Sequence, residues 1–336
     1  MVCRALAAGV VLVAAGVADV SAALVSGWEV VKIEGHDYVS VESMKQCYKF
    51  TKLTRSGGDV VLENAKVVMK LKVGGNECLM NGVKFVCSYP IATLGEKTYV
   101  SRMDLAKLID PVLRPSFIQN AGDFRTVILD PGHGGKDPGA TNGLGTEANY
   151  NLKVAGLVKN LLVAKGFKVV MTRTTNVFLT LQERVDFANA IKENAIFICI
   201  HFNSGGAAAR GIETFTLSPP GVSHYGSDAK ASDSQMYAGN EHDSANIALA
   251  TSVHGTVLHH LGQNSFDRGI KHARFSVLSG VRHPAILLEG GFLTHPYEAR
   301  LIENPKYQDA LAKGIVEAIS KYRYAVGAKS PVKPGN

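Results

Sequence analysis

Ala195-Ile196-Phe197-Ile198-Cys199-Ile200-His201 is an unbroken apolar run that ends on an imidazole. A strand with one wet face alternates polar and apolar residues. A continuous apolar run instead predicts a strand buried on both faces, as in a parallel sheet covered by helices. Cys199 is then a buried thiol. The same grammar extends outward in both directions. Upstream, Arg125-Thr126-Val127-Ile128-Leu129-Asp130 reads as a strand. It is followed by a helix from Asn151 to Lys165, with Leu152, Ala155, Leu161 and Leu162 at helical spacing and Gly166 as a stop. Phe167 to Thr172 is the next strand, and Thr180-Leu181-Gln182-Glu183 is a capping box opening a helix that turns Val185, Ala188 and Ile191 inward. Downstream come strands at Gly211 to Phe215 and Pro284 to Glu289, with a long helix from Ser244 to Leu261 between them. Asn304 caps a last helix that has Pro305 at its first position. Alternating strand and helix predicts an α/β domain over residues 124–324, a mainly parallel twisted sheet flanked by helices.

Before this domain the pattern is different. Val30 to Ile33 leads into Gly35-His36-Asp37-Tyr38-Val39-Ser40, and Ala92 to Leu94 leads into Gly95-Glu96-Lys97-Thr98-Tyr99-Val100-Ser101. A short amphipathic stretch follows each, so the segment holds a weak repeat of hairpin plus helix. Further strands at Ala65 to Leu71 and around the Asn81-Gly82 turn complete a small α+β module over residues 28–118. The repeated Gly…Tyr-Val-Ser pattern resembles the N-terminal domain of copper amine oxidases as it recurs in bacterial envelope proteins. The module concentrates no polar constellation, which points to binding or structure rather than catalysis. Pro111, Pro115 and Asn120-Ala121-Gly122-Asp123 mark the boundary. A two-residue Asn81-Gly82 turn sets Cys78 opposite Phe85, leaving Cys87 diagonal to Cys78, so a disulfide there requires slippage and stays open.

Length and composition set the outer limits. A chain of 336 residues suits about two domains. With 46% hydrophobic residues it can fill a core and is not disordered over most of its length. The 36 Lys and Arg outnumber the 29 Asp and Glu, giving a formal charge of +7. These charges are not gathered into a basic stripe, which argues against a nucleic-acid partner. Arg4, the small apolar residues from Ala5 to Ala18 and the Val20-Ser21-Ala22 end read as a signal peptide over residues 1–22. No segment reads as a stable membrane span. The expected product is an exported monomer of the periplasm, the cell envelope or the extracellular space, with a disordered tail at 325–336.

In such sheets, sites form where strands end. Three strand ends here carry groups that are costly to bury: Asp130-Pro131-Gly132-His133-Gly134-Gly135, His201-Phe202-Asn203-Ser204, and Glu289-Gly290-Gly291-Phe292. Glu147 lies in a Gly-rich loop just before a helix. Two imidazoles and a carboxylate form the donor set that grips a catalytic zinc and leaves a fourth position open. Each residue also has an ordinary reading: a capped surface histidine, a carboxylate on a helix dipole for Glu147, a buried ion-pair partner for Glu289. The Gly-rich segment lacks the Lys-Ser/Thr ending of a phosphate loop, and no Gly-x-Ser-x-Gly elbow exists. His254, His259 and His260 share a helix but form no His-Glu-x-x-His pair, so they read as packed or solvated.

In this order, Asp-Pro-Gly-His-Gly-Gly, Glu147, Ile-His-Phe-Asn-Ser and Leu-Leu-Glu-Gly-Gly-Phe-Leu resemble the type 3 family of zinc-dependent N-acetylmuramoyl-L-alanine amidases. Gly211-Ile212-Glu213-Thr214, Asp267-Arg268-Gly269-Ile270-Lys271 and Phe275 to Leu278 support the match. The resemblance implies zinc held by His133, Glu147 and His201, with Glu289 as the catalytic carboxylate. It implies peptidoglycan as substrate, cut between the muramic acid lactyl group and L-alanine. Two departures stand out: Ala148 follows Glu147 where a lysine is usual, and Phe202 replaces a usual alanine. Asn203, Arg268 and Lys271 are candidates for substrate contact. Some family members carry an autoinhibitory helix, displaced by a protein activator, in the region that is 217–243 here. Its prolines and glycines argue instead for a mobile lip. The alternatives are a non-catalytic wall-binding protein on the same scaffold, and a zinc peptidase or deacetylase.

Overall fold

The computed structural model describes residues 23–25, 27–119, 121 and 124–327. The expected signal peptide lies outside the described residues, as do Asn120, Gly122 and Asp123 of the boundary and residues 328–336 of the tail. The tail's first three residues belong instead to the last helix, because Val326 is buried against the core.

The N-terminal part opens with β1 (Ala23–Val25), β2 (Trp28–Ile33), β3 (His36–Ser40) and α1 (Val41–Cys47). A meander follows: β4 (Lys52–Ser56), β5 (Asp59–Glu63), β6 (Val68–Lys72), β7 (Glu77–Met80) and β8 (Val83–Val86). Then come β9 (Ala92–Leu94), β10 (Lys97–Ser101), α2 (Arg102–Asp104), a π-helical turn (Leu105–Ile109) and α3 (Asp110–Leu113). The repeat has a geometric meaning. β3 and β10 pair antiparallel with Tyr99 opposite Ser40, Val100 opposite Val39 and Ser101 opposite Tyr38. The two Tyr-Val-Ser copies thus face each other, and each serine hydroxyl then caps the helix that follows it, accepting from Ser43 N and Asp104 N. Asn81 (φ 50°) and Gly82 (φ 82°) form the expected tight turn, and Cys78 faces Phe85. Cys78 and Cys87 are buried free thiols.

The second part contains β11 (Thr126–Pro131), the small hairpin β12 (Thr141–Asn142) and β13 (Gly145–Thr146), and α4 (Glu147–Ala164). Next are β14 (Lys168–Met171), α5 (Leu181–Ala190), β15 (Ala195–Asn203), β16 (Ile212–Leu217) and α6 (Asp243–Leu261). The chain ends with β17 (Asp267–Ala273), α7 (Ser276–Gly280), β18 (Ala285–Phe292), α8 (Pro296–Glu303) and α9 (Pro305–Gly327). α4 starts four residues before the expected Asn151, because the Thr146 hydroxyl accepts from Asn149 N and caps it there. Glu147 is therefore the first residue of the helix rather than part of a loop.

One sheet runs through both parts, in the order β14-β11-β15-β18-β16-β17-β8-β7-β6-β5-β4. From β14 to β18 all pairs are parallel; β16 runs antiparallel to β18, and β17 is parallel to β16. The join between the parts is β17 beside β8, with Ile270 opposite Phe85. The sheet covers its two faces unequally. Ile196, Ile198, Ile200, Ile286 and Leu288 point into a large core with α4, α6 and α9 that extends beneath the meander. Phe197, Cys199, Ala285 and Leu287 point the other way, into a small core closed by the short α5 and α7. Alternation along the strands puts His201, Glu289 and Glu213 on this thinly covered face, just beyond its last packed residues.

Candidate metal centre

The loop after β11 is held in a conformation that few side chains tolerate. His133 has φ 59°, in the left-handed region. Gly132 packs so close to the neighbouring strand that a Cβ there would sit 2.1 Å from the His201 ring, and a Cβ on Gly139 would sit 2.6 Å from both Glu147 and His133. These residues therefore form a cradle that closes around three side chains. Two arginines support it from below. Arg184 donates to Asp130 Oδ1 (2.6 Å), the Pro131 carbonyl (3.0 Å) and the His133 carbonyl (2.8 Å). Arg173 donates to the carbonyls of Pro131, Gly132 and Ala148.

His133, Glu147 and His201 each offer a donor atom, and these atoms lie within 4.8 Å of one another. Glu147 Oε1 is 2.8 Å from His201 Nδ1 and 3.2 Å from His133 Nε2, and its Oε2 accepts from Ala140 N at 2.9 Å. The other nitrogen of His133, Nδ1, donates to Asp137 Oδ2 at 2.8 Å. This fixes the ring and leaves Nε2 facing Glu147, the arrangement that carboxylates impose on metal-ligating histidines. Burial opposes ionisation of Glu147, but hydrogen bonds and charge from His133 and His201 overcome it and hold the carboxyl well below its usual range. Burial likewise pushes His133 down, and Glu147 and Asp137 outweigh it, so its pKa is raised. Two nitrogens and a carboxylate oxygen converging in a glycine-shaped cradle fit a zinc-type ion.

Glu289 sits beside His201 across the β15–β18 pair. Its Oε2 is buried without a hydrogen-bond partner among the described residues. Burial, then the charges of Glu147 and Glu213, push its carboxyl well above the ordinary range. His133, His201 and Glu289 line a cleft of ≈ 580 Å³, whose lining also includes the apolar Phe178, Leu181 and Phe275.

The other expected residues lie elsewhere. Asn203 Oδ1 accepts from Ser204 N, and the residue is not among those lining the cleft. Arg268 and Lys271 both lie on β17 and converge on Glu213; Lys271 Nζ is 3.2 Å from Glu213 Oε1. Neither lines the cleft. Glu213 is opposite Glu289 in the β16–β18 pair, so the two cations act on the site through an intervening carboxylate. His254 is packed, bonded to Thr214 and Asp267. Residues 217–243 do not form the expected mobile lip. Arg274 fastens this segment through Asp233 Oδ1 (3.0 Å) and the carbonyls of Pro219, Val222 and Asp233, and its only helical turns are the short Ala231–Ser234 and Ala238–His242.

Sequence reasoning did not single out Asp137, Arg173, Arg184 or Arg274. Asp137 was legible, four residues after a candidate ligand. The arginines were not, because only the fold reveals that they are buried.

A family model described as N-acetylmuramoyl-L-alanine amidase matches residues 127–321. The chain is 34% identical over 199 residues to an uncharacterised Bacillus subtilis protein, YqiI, covering 59% of this chain and 84% of that one. It is 30% identical over 213 residues to the germination-specific N-acetylmuramoyl-L-alanine amidase of Bacillus subtilis, covering 59% of this chain and 79% of that one. For the amidase AmiC of Neisseria meningitidis the identity is 30% over 217 residues, 58% of this chain and 52% of the relative. Among solved structures, an N-acetylmuramoyl-L-alanine amidase of Clostridium difficile aligns with 33% identity and a TM-score of 0.49, over 62% of this chain and 100% of that one.

Proposed function

The chain belongs to the N-acetylmuramoyl-L-alanine amidase family, and from that premise we propose that His133, Glu147 and His201 hold a zinc ion beside Glu289, which moves the proton in the reaction. The activity is hydrolysis of the amide between the muramic acid lactyl group and L-alanine of peptidoglycan. One observation supports the residue assignment above the others: a buried carboxylate oxygen, Glu289 Oε2, left without a partner next to the three convergent donors.

An amide carbonyl is a poor electrophile and water at neutral pH a poor nucleophile. When bound, the cation supplies Lewis acidity that polarises the carbonyl and brings the pKa of water from ~15.7 towards ~7. The chain's own residues do the rest. Asp137 holds the His133 ring so that Nε2 is the free donor. Glu147 joins the two rings and stays ionised. In the protein alone Glu289 is pushed towards its protonated form, and beside a dication its carboxylate is favoured again. It then accepts a proton from the attacking water as the new C–O bond forms, and returns it to the amine nitrogen as the C–N bond breaks. Such transfers contribute about 10²–10⁴-fold. Phe178, Leu181 and Phe275 give the cleft an apolar flank beside the reacting centre.

The test is digestion of purified peptidoglycan with and without a chelator, read by mass spectrometry. Free lactyl-muramic ends and new L-alanine amino termini are expected with zinc and not after chelation. Cleavage at another bond, or undiminished cleavage by the metal-free enzyme, overturns the reading. We further propose export by a signal peptide ending near Ala22, checked by N-terminal sequencing of secreted protein. Two functional parts, 28–118 and 124–324, and a monomeric state complete the proposal. Among the described residues no helix is long and apolar enough to cross a membrane.

A further inference from the structure

Arg173 follows β14 and is 3% exposed. Its four hydrogen bonds run to backbone carbonyls: Nε to Pro131 (2.9 Å), Nη1 to Thr175 (3.1 Å), and Nη2 to both Gly132 and Ala148 (2.8 Å each). Burying a guanidinium is expensive, and a neutral carbonyl repays less than a carboxylate would. The positions of those carbonyls explain what it accomplishes. Gly132 immediately precedes His133, and Ala148 immediately follows Glu147.

We infer that Arg173 is a positioning residue for the metal centre, tying the His133 loop to the start of α4 through one nitrogen and so fixing the distance between two ligands in advance. The inference rests on the reading of His133 and Glu147 as ligands. The Gly132 carbonyl belongs to the peptide that joins Gly132 to His133, so its orientation sets the direction in which His133 leaves the backbone, while the Ala148 carbonyl holds the first turn of α4, which carries Glu147. Asn151 adds a weaker tie between the same segments, donating to the Gly132 carbonyl (3.1 Å) and to Glu147 Oε1 (3.4 Å). Arg184 holds the His133 carbonyl itself. The planar fork of arginine reaches several acceptors in a fixed geometry, which the single ammonium of lysine cannot reproduce.

The experiment compares the full-length wild-type protein with Arg173→Lys and Arg173→Ala. Zinc affinity is measured by competition with a chromogenic chelator, and ligand geometry by the visible spectrum of the cobalt(II)-loaded protein. Loss of a supporting contact of this type weakens metal binding by about 10–100-fold. That loss is expected in both variants, with a shifted cobalt spectrum, and millimolar guanidinium is expected to restore affinity to Arg173→Ala. If the alanine variant is recovered only as aggregate, the lysine variant carries the test. Asp104→Asn serves as a control, since Asp104 is a buried, hydrogen-bonded carboxylate in the N-terminal part. It should lower the melting temperature without changing zinc affinity. Wild-type zinc affinity and an unshifted spectrum in the Arg173 variants, with only a lower melting temperature, would reduce Arg173 to a structural residue and overturn the inference. Failure of the wild type to bind one zinc would instead overturn the ligand assignment, and the inference with it.

Discussion

One sheet, two faces: α4, α6 and α9 bury one of them so completely that Val154, Leu249, Val253, Leu311 and Ile315 are all fully enclosed, while the short α5 and α7 cover the other only partway along the strands. The polar groups follow the thin cover. Asp130, His201, Glu289 and Glu213 all project on that side, at the carboxyl ends of β11, β15 and β18 and at the start of β16. Stability is concentrated on one face, which frees the other to keep an orphaned oxygen on Glu289, an unusual φ at His133 and an open cleft. The difference predicts that substitutions on the two faces separate activity from stability.

The largest effect should come from Glu289→Gln on the thin face. Removal of a positioned general base costs about 10²–10⁴-fold in rate. Turnover of purified peptidoglycan should fall by that factor while elemental analysis still finds one zinc per chain. Full turnover in this variant would place the base elsewhere. The opposite pattern is expected from Leu249→Ala on α6, which leaves a cavity in the thick core. Such truncations cost about 2–5 kcal/mol. Denaturant unfolding should register the loss, and the surviving folded enzyme should keep its zinc affinity. A large drop in affinity would show that the thick face also shapes the site.

A third substitution sharpens the comparison at the seam between the N-terminal strands and the rest. Asp267 accepts from Lys84 N (2.9 Å) on β8 and bonds His254 Nε2 (2.9 Å) on α6. Burial opposes its ionisation, but His254 and the backbone amides of Lys84 and Gly269 outweigh that and lower its pKa below the usual value. A carboxyl depressed in the folded state stabilises fully above its unfolded pKa of about 3.9, and that contribution is lost as pH falls through the folded value. Asp267→Asn should therefore cost about 1–3 kcal/mol near neutrality. It should also flatten the acid limb of the stability–pH curve, with zinc content unchanged. An acid limb as steep as that of the wild type would exclude Asp267 as its source.

What was legible in the sequence divides along the same line. The apolar run of β15, the β11 strand and the Thr180 capping box specify local structure through nearest neighbours, and each sits within a few residues of its expected place. His133, His201 and Glu289 were legible as candidates because polar groups at the ends of buried strands stand out, and Glu147 as a carboxylate in a Gly-rich stretch. The structure brings the two histidines and Glu147 together, with Glu289 beside His201. β17 was not legible. No strand was expected over Asp267-Arg268-Gly269-Ile270-Lys271-His272-Ala273, whose burial depends on Glu213 neutralising Lys271 and on Thr216 bonding His272. These partners lie more than 50 residues away in the chain. The alignment of β8 with β17, which carries the sheet from one part into the other, leaves no local signal at all. The anchoring of 217–243 was equally hidden, since Arg274 reads as a surface cation until its partners are in place.

The smallest effect belongs to α5, the thin cover itself. The Thr180 hydroxyl accepts from Glu183 N (3.2 Å), and Glu183 Oε2 accepts from Thr180 N (2.7 Å). Thr180→Ala removes the first of these bonds and keeps the second. The expected cost is about 0.5–2 kcal/mol. α5 also carries Arg184, whose bond to the His133 carbonyl supports a metal ligand from the helix interior. Fraying of the first turn displaces the already exposed Leu181 and loosens the rim of the cleft, but Arg184 lies one turn further in and remains held by Asp130 and Pro131. The variant should therefore melt a few degrees lower, with KM for peptidoglycan raised more than kcat is lowered and zinc affinity unaltered. A matching fall in zinc affinity would mean that α5 supports the ligand as one cooperative unit, and that the thin face is as tightly coupled as the thick one.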